Sequence, residues 1–400
     1  MNRAAIRMRR NQFRLAALAC LSALCLGLLA PTAAAADMRS RQWHLDAMKA
    51  ERMWQVSTGE GVTVAVIDSG VDSSVPEMRG QLLSGKDFSG KGQGVNHDNE
   101  GHGTSMAMII AGRRSGDGPW GLAPGSKVLP LKYVGGYGLV NMAKAIRYAA
   151  DQGAKVINIS RGRPAVKEAQ VELQPAIDYA NKKGSLIFAG TGNDGDNGNA
   201  PVYPASLPGV VGIGAVDKSL KVAEFSTYGP QVALAAPGVS IPTRCSAALR
   251  YCVEDGTSDA TAIASASAAL IWSAHPKWTN NQVLRVMMET AGKPEDGKVP
   301  SKYLGYGIVR PRKVLLDKEG DPGPADVNPL LTARSTASPS QTPQSVPNDG
   351  HAGRAQNQSG QTANSDSDVW PIIVAAGAVA GAAIIGGLMI ARRRRAQLNS

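Results

Sequence analysis

Cysteine is scarce in this chain, acid is missing from its beginning, and charge of either sign is missing from one long stretch near its end. Of the four cysteines, Cys20 and Cys25 lie in an apolar run without the Leu-x-small-Cys context that lipid attachment requires, so no lipid anchor is expected there. Residues 1–14 carry Arg3, Arg7, Arg9, Arg10 and Arg14 with no acid, an apolar run follows from Leu15 to Ala30, and "PTAAAAD" supplies small residues near Ala36. This reads as a secretory signal peptide over residues 1–36. The uncharged stretch from Val369 to Ala391 is long enough to cross a bilayer, and the four arginines Arg392 to Arg395 follow it directly. That flank excludes a buried core helix and places the C-terminus on the cytoplasmic side. Gly377 and Gly381 form a GxxxG pair within the span that lets a partner helix approach closely.

The formal charge of +11 invites a nucleic-acid reading, but its distribution removes it. Five of the excess positive charges sit in residues 1–36 and four in residues 392–400, so the chain between is nearly balanced. It lacks the basic footprint of a nucleic-acid binder. An HExxH motif is also lacking. His97 stands five residues before His102, a spacing that is not HExxH and that places no acidic third ligand, so His97 reads as a loop histidine, and neither metal nor cofactor is expected. His275, at a helix end before proline, reads as structural.

Between residues 318 and 368 apolar periodicity gives way to Pro, Ser, Gln and Gly. Such a composition buries too little apolar surface to order itself and is expected to form a disordered stalk. Residues 37–317 remain as one large body. There the runs "VTVAVID", "KVLPLKYV", "AKVINIS", "GSLIFAG", "GVVGIGAV" and "QVALAAPG" read as strands, with helical stretches between several of them. In "LVNMAKAIRYAADQG", for example, Met142, Ile146 and Ala149 recur at helical spacing before Gly153. The alternation predicts an α/β fold, a mostly parallel central sheet with helices on both faces, and a site at the carboxyl ends of its strands.

Three segments place catalytic-type residues at such ends: "VAVIDSGVD" with Asp68, "NEGHGTSMAMIIAG" with His102, and "DGTSDATAIASASAALIW" with Ser258. A fourth, "IFAGTGNDG", carries Asn193. The order Asp, His, Ser is one in which a Ser-His-Asp triad recurs. On these motifs the body resembles the subtilisin-like serine peptidases over about residues 42–316. The resemblance implies that Asp68 orients His102, that His102 activates the Ser258 nucleophile, and that the Asn193 amide and the Ser258 N–H hold the oxyanion. It further implies a protein or peptide substrate lying extended between Gly136, Tyr137 and Gly138 on one side and Ser160, Arg161 and Gly162 on the other. The first side-chain pocket would be walled by Ala189, Gly190 and Thr191.

The whole layout resembles the mycosins, membrane-anchored subtilases associated with type VII secretion systems. This implies a single-pass cell-membrane protein with the peptidase domain outside, the C-terminus inside, and secretion-system components as possible partners. Export of the body, with Cys245 and Cys252 only seven residues apart, predicts a disulfide between them. Three residues depart from the family pattern: Asp259 after the nucleophile, Ala262 in place of proline, and Arg161 in place of an apolar residue. Asp259 is expected to point away from Ser258 and to favour its helix start, and Arg161 to favour acidic or polar substrates. Two functions follow as expectations: an active anchored endopeptidase, or a silent subtilase scaffold within a membrane complex.

Overall fold

Continuous apolar runs of five to seven residues suit strands buried on both faces, and the six runs read above form the body of one sheet. In chain order the strands are β1 (Thr63–Asp68), β2 (Lys86–Asp87), β3 (Lys127–Lys132), β4 (Val156–Ile159), β5 (Arg163–Pro164), β6 (Leu186–Gly190), β7 (Val202–Tyr203), β8 (Val210–Val216), β9 (Val232–Pro237), β10 (Ile241–Thr243) and β11 (Cys252–Glu254). Seven of them make the main sheet in the order β2-β3-β1-β4-β6-β8-β9. Every pairing within it is parallel. β5 with β7 and β10 with β11 form two small antiparallel pairs. The computed structural model describes residues 38–332 apart from 91, 93, 134–137 and 245–250. The expected signal peptide and membrane span lie outside the described residues, among which no helix is long and apolar enough to cross a membrane.

Side chains alternate across each strand, and β1 shows the result. Val64 and Val66 join one core cluster, while Ala65 and Ile67 join the other. The helices are α1 (Trp43–Ala47), α2 (Ala50–Trp54), α3 (His102–Ala111), α4 (Gly138–Asp151), α5 (Lys167–Lys182), α6 (Thr257–Ala274), α7 (Asn280–Glu289) and α8 (Pro311–Leu315). The Val64 side is covered by α3, α6 and α7 with α1, α2 and α8, and the Ala65 side by α4 and α5. Met142, Ile146 and Ala149 of α4 are fully buried, and Gly153 follows with φ of 72°. In α6 every residue from Asp259 to Trp272 is buried. A helix apolar all round belongs inside, and its alanines and serines let it lie close against both the sheet and α3.

The body continues past residue 317. Residues 318–332, expected as the start of the stalk, run along α7 and are held there by its side chains. Gln282 donates to the Gly323 carbonyl, Thr279 and Asn281 to that of Ala325, and Arg285 to that of Val327. Leu330 is buried. Side-chain bonds to backbone order this stretch, which is why it shows no apolar periodicity.

Candidate active site

In the sheet order, β1 lies between β3 and β4, so the chain leaves it toward one edge and later returns to its other side. Ligand sites gather at such a reversal, at the carboxyl ends of the strands. Asp68 is the last residue of β1, Ser160 follows β4 directly, and Asn193 lies three residues beyond the end of β6.

Asp68 is fully buried, and its Oδ1 lies 2.7 Å from His102 Nδ1, 2.8 Å from the Ser69 N–H nitrogen and 3.0 Å from Arg161 Nε. Burial works to raise its pKa, but the attraction and hydrogen bond of His102, with Arg161 and Ser69, outweigh it and hold the carboxyl well below its ordinary range. Because Asp68 is ionised, it accepts only, so the proton shared with His102 sits on Nδ1. Nε2 is then free to accept a proton from elsewhere. For His102, burial works against the charged ring, but Asp68 prevails and the pKa is raised, with Arg161 pulling it down.

His102 is the first residue of α3, and its placement depends on two glycines and an aspartate. Gly101 caps the helix at φ of 79°, and a Cβ on Gly103 would stand 2.2 Å from the Gly70 carbonyl oxygen and 3.0 Å from Asp68 Cβ. Side chains other than hydrogen would push the helix off the strand. Asp98, nearly buried, accepts from the backbone N–H groups of Glu100 (3.2 Å), Gly101 (2.9 Å) and Thr104 (2.8 Å) and from the Thr104 hydroxyl (2.6 Å). It thereby satisfies donors that a helix start leaves without intrahelical partners.

Ser258 is the second residue of α6, where backbone N–H groups likewise have no intrahelical acceptor. The N–H and hydroxyl of Thr257 both donate to Asn193 Oδ1, at 2.9 Å each. A backbone N–H can only donate, so the amide oxygen must face Thr257 and the Asn193 Nδ2 must face the other way. Nδ2 lies 3.6 Å from the point a Cβ on Gly256 would occupy, beside the start of α6. The Ser258 hydroxyl donates to the Ser160 carbonyl at 3.2 Å, and the Ser160 hydroxyl donates to the Ser258 carbonyl at 3.1 Å. Asn158 donates to the Ser160 hydroxyl and accepts from Ser265, which ties β4 to α6 through buried groups.

The structure thus gathers Asp68, His102 and Arg161 on one side, and Ser258, Asn193 and Ser160 on the other. Gly136, Tyr137 and Cys245 lie outside the described residues, and Gly138 begins α4. Of the expected pocket residues, only Gly190 is partly exposed. Ala189 is buried in the core beneath α4 and α5, and the Thr191 hydroxyl donates to the Ile213 carbonyl. Arg161 turns toward the Asp68 carboxylate and Glu100, the latter at 2.5 Å.

Four functional residues were not singled out by sequence reasoning: Asp98, Glu100, Thr257 and Glu254. Asp98 and Thr257 are common helix-start residue types, and only the fold shows what they hold. Glu254 of β11 is partly buried and within electrostatic reach of His102. Burial raises its pKa. Asp259 is buried with its Oδ1 unpartnered, and burial, reinforced by Glu254, raises its carboxyl well above the ordinary value. This differs from the expected anion at the helix start: enclosed in the core, the side chain is driven toward neutrality. Among the described residues no group of three or more His, Cys, Asp or Glu could hold a metal ion.

A parallel sheet with an Asp-His pair at one strand end and a serine at the start of a buried helix defines an α/β protein with candidate base and nucleophile at the carboxyl ends of its strands. The subtilase family model matches residues 59–307, and the chain belongs to that family. Subtilisin E of Bacillus subtilis is 36% identical over 257 residues, 63% of this chain and 65% of that protein, and a thermostable alkaline protease of Halalkalibacterium halodurans is 35% identical over 254 residues, 63% and 66%. The chain therefore spans just under two thirds of the length of these relatives. Among solved structures, MycP1 with its N-terminal propeptide removed is 30% identical with a TM-score of 0.62, covering 71% of this chain and 99% of that one. MycP3 from the ESX-3 type VII secretion system is 30% identical with a TM-score of 0.58, covering 68% and 87%.

Proposed function

We propose that this chain is a serine endopeptidase that cuts peptide bonds through Asp68, His102 and Ser258. The observation that carries the reading is a pair of groups held in fixed orientations at the carboxyl ends of the strands. The imidazole has Nδ1 fixed on Asp68, and the Asn193 amide is turned by Thr257 so that its N–H₂ faces the nucleophile's helix. In the reaction the Ser258 hydroxyl leaves the Ser160 carbonyl and passes its proton to His102 Nε2 as its oxygen attacks the substrate carbonyl. Asp68 stabilises the imidazolium. Asn193 Nδ2 and the Ser258 N–H donate to the oxyanion, and His102 then protonates the leaving amine. Catalytic hydrogen bonds commonly tighten only when substrate is bound, which accommodates the resting position of the Ser258 hydroxyl.

The substrate strand lies between residues 136–138 and 160–162, with Gly190 at the mouth of the first pocket. The chain is a single-pass membrane protein with its body outside, delivered by residues 1–36 and anchored by residues 369–391. The likeness to MycP1 and MycP3 supports a setting in type VII secretion. A Cys245–Cys252 bridge braces the hairpin between β10 and β11, supported by the disulfide-bonded state of Cys252. A fluorophosphonate probe applied to the full chain should label Ser258. Ser258→Ala should abolish both labelling and peptide cleavage, and undiminished cleavage by that variant overturns the reading.

A second reading, a catalytically silent scaffold in a membrane complex, draws on Asp259, an acid buried directly beside the nucleophile. It requires that Asp259→Met switch on an otherwise inactive protein.

A further inference from the structure

Arg161 is an unusual neighbour for a catalytic aspartate. Its Nε donates to Asp68 Oδ1 at 3.0 Å, and its Nη2 donates to Glu100 Oε2 at 2.5 Å. Glu100 lies on the loop that leads into α3, two residues before His102, whereas Arg161 lies just beyond β4. One guanidinium therefore joins the end of a strand, the buried carboxylate and the loop carrying the imidazole. All three donors to Asp68, the Ser69 N–H, His102 Nδ1 and Arg161 Nε, use the same oxygen, while the buried Oδ2 has no hydrogen-bond partner. His102 and Arg161 thus compete for one acceptor and one negative charge.

We propose that Arg161 is a positioning residue of this site: bound to Asp68 and Glu100 together, it fixes the His102 loop against β4 and shares the Asp68 charge with His102, which sets how acidic a medium the site tolerates. The proposal rests on the peptidase reading above. Its sign follows from the charges that face the ring. Asp68 from β1 stabilises the imidazolium, as do Asp259 from α6 and Glu254 from β11 whenever they are ionised, Glu100 lies on the ring's own approach loop, and Arg161 opposes them. A cation beside an imidazolium favours the neutral ring, the form that can accept the serine proton. With Arg161 in place His102 therefore stays neutral, and the site competent, to lower pH.

Arg161 also bears on the expected preference for acidic substrates. Its fork is already engaged by two carboxylates of the chain itself, so a substrate acid must displace Glu100 to reach it. This separates charge tuning from substrate selection.

The test compares the full-length protein with Arg161→Leu and Arg161→Gln, both uncharged, and with Arg161→Lys, which keeps charge without the fork. The acid limb of kcat/KM against pH should move up by roughly half a unit to one unit in the uncharged variants and stay near its original position in Arg161→Lys. NMR titration of the His102 ring, in a Ser258→Ala background and assigned by loss of its signal in His102→Gln, should show the same upward shift. This second measurement needs no turnover. If the unaltered chain neither cuts peptide nor reacts with fluorophosphonate, the peptidase reading fails while the titration still decides the role of Arg161. A His102 titration unchanged in a folded Arg161→Leu or Arg161→Gln protein overturns the proposal. So does an unmoved acid limb accompanied by a changed preference between Glu and Gln in the substrate, which would make Arg161 a subsite residue.

Discussion

At the scale of single residues, the site depends on groups that do no chemistry but aim those that do. Thr257 is the clearest case. Removing its side chain deletes one of two bonds to the Asn193 oxygen and leaves the backbone N–H as the remaining anchor. Thr257→Val should therefore lower kcat by about tenfold with KM little changed, since the donor matters most as the oxyanion forms. Asn193→Ala should lower kcat by about a hundredfold or more, the magnitude known for such a donor in subtilisin itself. Steady-state kinetics of the two variants decides their order, and a larger loss in Thr257→Val would contradict it. Asp259 carries a different expectation. Its carboxyl titrates above the ordinary value in the folded protein, so over the interval between its unfolded and folded pKa values the native state binds more protons. Stability then falls as pH rises through that interval. Asp259→Met should remove this fall, raising Tm at pH 8 by about 2–4 °C for each kcal/mol recovered and leaving Tm at pH 4 nearly unchanged. Thermal unfolding at the two pH values checks it, and equal shifts at both would refute the titration. The placement of Asp68 at the end of β1, of His102 and Ser258 at helix starts and of Asn193 just beyond β6 was legible in the sequence, because each sits in a local context of strand end, turn and helix start. Thr257 and Arg161 as a strap were not, because their roles exist only once β4, β6 and α6 meet.

Among the elements, α3 has the strictest requirements, because its first residue is His102. Asp98 supplies four hydrogen bonds to the turn that opens it, with one oxygen serving Glu100 and Gly101 and the other serving Thr104 twice. Asp98→Ala leaves those donors without their acceptor and should destabilise the protein by about 1–2 kcal/mol, the usual range for loss of a helix cap. It should also lower kcat, since the imidazole loses its fixed approach to Asp68. Asp98→Asn keeps one accepting oxygen and should fall between the two. Denaturant unfolding alongside kinetics tests the ranking, and an Asp98→Ala protein as stable as the original would show that the cap contributes nothing. The major strands were readable because burial on both faces leaves them continuously apolar. β2, β5 and β7 have two residues each, too few for any period to show. β10 and β11 pair across a segment whose sequence does not announce a hairpin, so Glu254, placed near His102 by that pairing, escaped notice. The central sheet is mostly parallel, as the alternation of strands and helices led one to expect, with every pairing among its seven strands parallel.

For the molecule as a whole, the question is where the folded body stops and the proposed tether starts. Composition places the change near residue 318, whereas hydrogen bonds from Thr279 and α7 hold the chain as far as Val327, and Leu330 beyond it is buried. Composition reports what a segment can bury by itself, and residues 318–332 are held instead by polar side chains of another element, with Leu330 as their buried apolar contact. Two truncations distinguish the boundaries. A chain ended after residue 332 should keep the unfolding temperature of the full-length protein. One ended after residue 317 loses Leu330, worth about 1.5–3 kcal/mol when fully buried, and leaves Gln282, Asn281 and Arg285 without their carbonyl partners. It should unfold several degrees lower and expose α7 to faster amide exchange. Protease added to intact cells should agree, releasing a fragment that extends to or beyond residue 332 while a tag placed after Ser400 stays protected. Release of a stable fragment ending at residue 317 would place the tether where composition put it, and a tag reached from outside would reverse the proposed orientation in the membrane.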